Sequence, residues 1–101
     1  MLLAEYIKLF EEVLHITEQI EKVCKEGNSN LAGEFFDKRM ELMSKLTTPE
    51  DITEEGFAKI LAIKEKLSEK NSKILEYLQN EKENLNNMKE EIIKQYDDTT
   101  S

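Results

Sequence analysis

Tryptophan is absent from this 101-residue chain, and Pro49, Cys24, Arg39 and His15 are each the sole example of their kind. Each shortage removes a class of explanation. One cysteine cannot close an internal disulfide, and Cys24 shares an apolar register with Ile20 and Val23, so it reads as a small buried hydrophobe. One histidine cannot supply the paired Glu-x-x-His motifs of a di-metal bundle, so Glu12 and His15 read as solvated helix surface. No cofactor is expected. One arginine leaves little with which to clamp phosphates or dicarboxylates. Valine occurs only at Val13 and Val23, which speaks against a sheet. Glycine is confined to Gly27, Gly33 and Gly56, so the chain has few places to turn.

What is present is charge and helix-forming residues. Hydrophobic residues make up 39% and charged residues 36%, a balance that suits helices with one apolar face each. Twenty-two acids against 14 Lys and Arg give a net charge of −8. Phosphate backbones and anionic lipid surfaces would repel such a chain, so neither nucleic acid nor membrane is an expected partner. The opening MLLAEYIKLFEE has no basic leader, and acids interrupt its apolar run. It is read as neither a signal peptide nor a membrane span, which points to a cytoplasmic protein.

Periodicity predicts an all-α fold in a single domain, 1–101. A first helix is expected over about 2–26, with Leu3, Ile7, Phe10, Val13, Leu14, Thr17, Ile20, Val23 and Cys24 on one face. Gly27-Asn28 signals its end, because glycine accepts a left-handed backbone. A second helix is expected over about 31–46, with Gly33 allowing close helix contact. The polar stretch around Pro49 separates it from a third, with Thr48 or Thr53 as N-cap. Short connections make this an antiparallel three-helix bundle with a long C-terminal helix, over about 53–96, and a frayed tail at 97–101. Asn80, Asn84, Asn86 and Asn87 are poor helix formers, so the alternative is a break near Asn84 that creates a fourth helix.

The third helix carries two heptad series. One reads Phe57, Lys64, Asn71, Leu78, Leu85, Ile92; the other reads Ile60, Leu67, Ile74, Glu81, Met88, Gln95. The first helix is long enough to cover the third only to about Leu78. Phe57 to Leu75 is therefore expected to be core. Leu78, Leu85, Met88, Ile92, Ile93 and Tyr96 are expected to lack an intrachain partner and to form a protein-binding stripe, with the groove between the second and third helices contributing. Lys64, Asn71 and Glu81 interrupt the seam, either as an ordinary polar rim or as register-fixing residues. Met40, Met43, Phe35, Phe36 and Phe57 are expected as core, the alternative being an adaptable apolar surface. Arg39 is either an ion-paired surface residue beside Asp37 and Glu41 or a partner-contact residue.

The segment from Leu31 to Leu46 resembles the second helix of bacterial flagellar export chaperones of the FliT type. The resemblance lies in Asp37, Arg39, Leu42, Met43 and Leu46, with an amphipathic helix before and a long helix after. It implies a cytosolic chaperone for a flagellar secretion substrate, typically the filament-cap protein, held through a helical segment in an apolar groove. It also implies contacts with export components. In such chaperones C-terminal helical residues can mask the groove; Met88 to Tyr96 would correspond, although the unbroken heptad here departs from a separate masking helix.

No phosphate-binding glycine loop, nucleophile elbow or HExxH motif is present, so an enzyme is not expected. A chorismate-mutase-like bundle is the remote enzymatic alternative, and it would need several inward cations. The main rival is a homodimeric coiled-coil or adaptor module in which the overhanging stripe pairs with itself.

Overall fold

A computed structural model describes the backbone of residues 1–100 and the side chains of residues 1–95. It contains helix α1 (Leu3–Lys25), a 3-10 turn (Ser29–Leu31), helix α2 (Gly33–Ser44) and helix α3 (Glu54–Thr100), with no strand among the described residues. Helix α3 is continuous for 47 residues, and the break near Asn84 does not occur. At 1.5 Å per residue it would measure about 70 Å, and the molecule is 72 Å in its longest dimension. The segment 97–100, expected as a frayed tail, is still helical. Ser101 lies outside the described residues.

Local signals set these ends. Gly27 adopts φ +79°, its amide bonds the Cys24 carbonyl at 3.1 Å, and the Asn28 amide reaches back to the Val23 carbonyl at 2.8 Å. This pair of bonds satisfies two of the carbonyls that a helix end leaves free. Gly27→Ala should cost about 1 kcal/mol, read from urea denaturation, because an alanine strains in that conformation. Thr53 caps α3, its Oγ1 accepting the Gly56 amide at 3.0 Å. Asp51 Oδ1 accepts the Leu3 amide at 2.8 Å and so places a carboxylate at the positive end of α1.

Helix α2 is shorter than expected at both ends, because the 3-10 turn takes up Ser29–Leu31 and the helix stops at Ser44. It descends along α1: Ala32 packs with Cys24, and Arg39 bonds Thr17. Helix α3 ascends beside α1, with Gly56 next to Leu3, Lys70 paired with Glu21 at 3.2 Å, and Ser29 bonded to Glu81 at 2.6 Å. The close approach belongs to Gly56, where a β-carbon would collide with Leu3 Cδ2. Gly33, expected in that role, is exposed and has open space around it.

Helix α1 is thus the shared middle element. Its buried residues are Phe10, Val13, Ile16, Thr17, Ile20 and Cys24, a wide sector that serves a neighbour on each side. The core gathers Ile16, Ile20, Cys24, Ala32 and Ile74, with Phe35, Phe36, Leu42, Tyr77 and Leu78 packed against it. Helix α2 packs on α1 and hardly touches α3. That gap narrows the core expected from Phe57 to Leu75 to its α1-facing side, where Ile63 and Ile74 are buried and Ile60 and Leu67 half-buried. Phe57 is 51% exposed and Leu75 67% exposed, and Met40, Met43 and Leu61 are exposed as well.

Candidate functional site

The uncovered apolar residues of α3 fall into two groups, and helix geometry explains why. A strict seven-residue repeat drifts by about 20° per heptad on a straight 3.6-residue helix. The series that begins at Phe57 has therefore turned by about 100° when it reaches Ile92. At its start it looks into the gap beside α2. At its end it lies on the side that α1 covers lower down, the side of Ile63, Ile74 and Glu81.

The first group is a stripe on the overhang. Helix α1 ends at Lys25 and the turn above it reaches Glu81, so about 19 residues of α3, roughly 28 Å, project beyond any neighbour. On this length Leu85, Met88, Ile92 and Ile93 are all more than half exposed. Leu85, Met88 and Ile92 extend the α1-facing side, and Ile93 sits about 100° round from Ile92. Leu78, expected to lack an intrachain partner, is half-buried against the core and marks where the bundle stops. The Tyr96 side chain lies outside the described residues.

The second group lines a trough of about 680 Å³. Tyr6 and Phe10 of α1 form its floor, Met43 of α2 one wall, and α3 from Phe57 to Leu75 the other. The floor rings lie 5.8 Å apart, tilted at 46°. At the lower end it meets a smaller pocket of about 270 Å³ under Leu46, Pro49 and Ile52, which shares Tyr6, Phe57 and Ile60 with it. A groove between the second and third helices is expected from the sequence, but not the exposure of Phe57, Leu61 and Leu75 along it. It depends on how far α2 stands from α3, which no local pattern specifies.

Arg39 links the three helices. Its Nη1 donates to Thr17 Oγ1 of α1 at 3.2 Å and to Asn71 Oδ1 of α3 at 2.8 Å, and the guanidinium lies 5.2 Å from the centre of the Phe36 ring. Thr17 is fully buried and donates in turn to the Val13 carbonyl at 2.8 Å. The expected ion pair with Asp37 or Glu41 is replaced by these bonds; Glu41 instead lies 3.9 Å from Lys45. Among the described residues Arg39 has no carboxylate partner, and burial lowers its pKa. The network suits a bracket holding α2 and α3 in register on α1. In urea denaturation, Arg39→Met should cost about 1–2 kcal/mol and Asn71→Ala about 1 kcal/mol. The double variant should fall short of their sum by about 0.5 kcal/mol or more, since the two share one bond.

The remaining candidates are dispersed. Glu12 and His15 are exposed on α1. No group of three or more His, Cys, Asp or Glu side chains able to hold a metal occurs among the described residues. Cys24 is buried, and burial first and Glu81 second push its thiol pKa upward. The stability linked to that thiol is present below the usual thiol pKa and is lost as pH rises through the raised value. No helix among the described residues is long and apolar enough to cross a membrane. No protein-family model matches the chain, and neither a curated protein nor a solved structure does.

Proposed function

We propose that this chain is a non-enzymatic helix-binding protein, acting as a cytoplasmic chaperone that holds an amphipathic segment of a client. The resemblance of Leu31 to Leu46 to flagellar export chaperones suggests a secretion substrate as client, such as a filament-cap protein, or a component of the export machinery. The observation behind this reading is the stripe of Leu85, Met88 and Ile92. These side chains continue the face of α3 that α1 covers below, so the overhang lacks the helix that α1 supplies lower down. A client helix seated there would bury its apolar face in the manner of helix-in-groove recognition.

Self-pairing is the second reading, because exposed seam positions are what a coiled coil uses. Geometry disfavours it in both directions. An antiparallel two-fold pair sets each flank of the helix against its own copy, which brings Lys82 and Lys89 against the same lysines. In a parallel pair the two α1 helices would stand between the two α3 helices and hold them apart. Sedimentation at low micromolar concentration should therefore give a monomer. The proposal is tested by capture of client from lysate with wild type and with Leu85→Glu/Ile92→Glu. Retention of every partner by the double variant would refute the stripe as the site.

A further inference from the structure

Resting on the helix-binding reading above, we infer that the occupant of the overhang stripe is a partner helix with carboxylates along one flank, selected by Lys82 and Lys89. Successive residues of a helix are about 100° apart. Lys82 and Lys89 each precede a stripe residue, Leu85 or Ile92, by three positions. Both therefore border the stripe, about 60° to one side of it. Glu83 and Glu90 precede the same two residues by two positions, which turns them about 160° away, onto the back of the helix. The other border begins with Asn84 and Glu91, about 100° from Leu85 and Ile92. Ile93 lies on the lysine side and is 51% exposed, so the apolar surface spreads toward the lysines and not toward Asn84.

A cationic border runs against the −8 of the whole chain. Neither lysine is occupied within the molecule. The positions three and four residues from either one hold Leu, Ile, Asn or Gln, so no carboxylate stands where a helix pairs its charges. Lys94, by contrast, has Glu90 and Glu91 in those positions. The ion pairs between described side chains lie elsewhere, at Glu21–Lys70, Glu41–Lys45 and Glu69–Lys73. Glu81, at the base of the stripe, accepts the Ser29 hydroxyl at 2.6 Å.

Lys82 and Lys89 stand one heptad apart, about 10 Å along the axis. Partner carboxylates at the same spacing on one flank would meet both, and the lysine stems would cover apolar surface beside Leu85. A partner with lysines there would face like charge at both positions. The same pair opposes a second copy of the stripe, since an antiparallel pair brings lysine to lysine. Exclusion of the twin and choice of an acidic-flanked helix thus come from the same two side chains.

The test uses three synthetic helices of about 18 residues, stapled alike so that all are equally pre-organised. They share one leucine stripe and differ on one flank, which carries glutamate, glutamine or lysine at heptad spacing. The other flank is glutamine throughout. Affinities are read by fluorescence anisotropy at physiological ionic strength, where charges beyond about 8 Å are largely screened. Wild type should bind the glutamate helix about fivefold more tightly than the lysine helix, although net charge alone favours lysine. Lys82→Glu/Lys89→Glu should reverse that order. Lys8→Glu/Lys38→Glu makes the same change in net charge at exposed positions on α1 and α2, and should leave the order intact. Leu85→Glu/Ile92→Glu should weaken all three helices by about a hundredfold.

Equal or tighter binding of the lysine helix by wild type overturns the inference, as does failure of all three helices to bind. Reversal by Lys8→Glu/Lys38→Glu also overturns it, because net charge would then be the cause. Three helices bound alike, and all lost in Leu85→Glu/Ile92→Glu, would remove the charge selection and leave the helix-binding site in place. A preference that survives Leu85→Glu/Ile92→Glu would move the site off the stripe and overturn both. A dimer that the same variant dissolves would overturn the inference too, since a second copy would then fill the stripe.

Discussion

Ile20→Ala is expected to remove about 3–4 kcal/mol of folding stability, the largest loss from any single truncation in the chain. Ile20 has no exposed surface and sits on α1 between the two helices that α1 holds. Its removal opens a void among Ile16, Cys24, Ala32 and Ile74. Those neighbours belong to three different segments, so collapse around the void would have to move all of them together. A domain of this size has about 5–15 kcal/mol in total, so the loss is a large share. Leu75→Ala is the control, because its side chain is 67% exposed, and it should change stability by less than about 0.5 kcal/mol. Urea denaturation followed by circular dichroism separates the two. Equal losses would mean that the trough is closed in solution and that Leu75 is core.

Leu85→Glu/Ile92→Glu is expected to do the opposite: it should leave stability within about 0.5 kcal/mol and weaken client binding by about a hundredfold or more. Neither residue touches the bundle; their exposures are 60% and 64%. Glutamate is a good helix former and replaces a β-branched residue at position 92, so the helix itself is not weakened. In a complex, however, each side chain would be an anchor worth about 1.5–3 kcal/mol. The carboxylates put in their place would be buried without partners. A drop in melting temperature comparable to that of Ile20→Ala would show that the overhang folds back on the bundle. Unchanged binding with unchanged stability would move the client elsewhere.

The residues that fix element ends were legible in the sequence because their physics is local. Gly27 ends α1 through its own backbone geometry, and Thr53 caps α3 through a residue three positions on. The core of α1 was legible for the same reason, apart from Ile16. A single amphipathic face was expected there, whereas α1 serves two neighbours and buries a wider sector. The groove between the second and third helices was expected, but its openness was not legible. Phe57, Leu61 and Leu75 carry a core-like pattern, and the distance between α2 and α3 leaves them uncovered. The heptad reading also merged two surfaces, since a seven-residue series on a straight helix does not keep to one side. Arg39 shows the same limit: its neighbours in sequence suggested an ion pair, but its bonds go to Thr17 and Asn71 on other helices.

The continuity of α3 has an energetic consequence. An isolated helix of some 19 residues rich in asparagine would rarely form, because the first turn is costly to nucleate and each further residue returns little. Here the nucleus is supplied by the bundle: the turns up to Tyr77 are fixed by α1, and the overhang only has to propagate from them. The lower half of the molecule thus acts as a permanent seed for the upper half. A client helix would meet a surface whose ordering cost has already been met by folding, so more of the free energy of contact remains available as affinity.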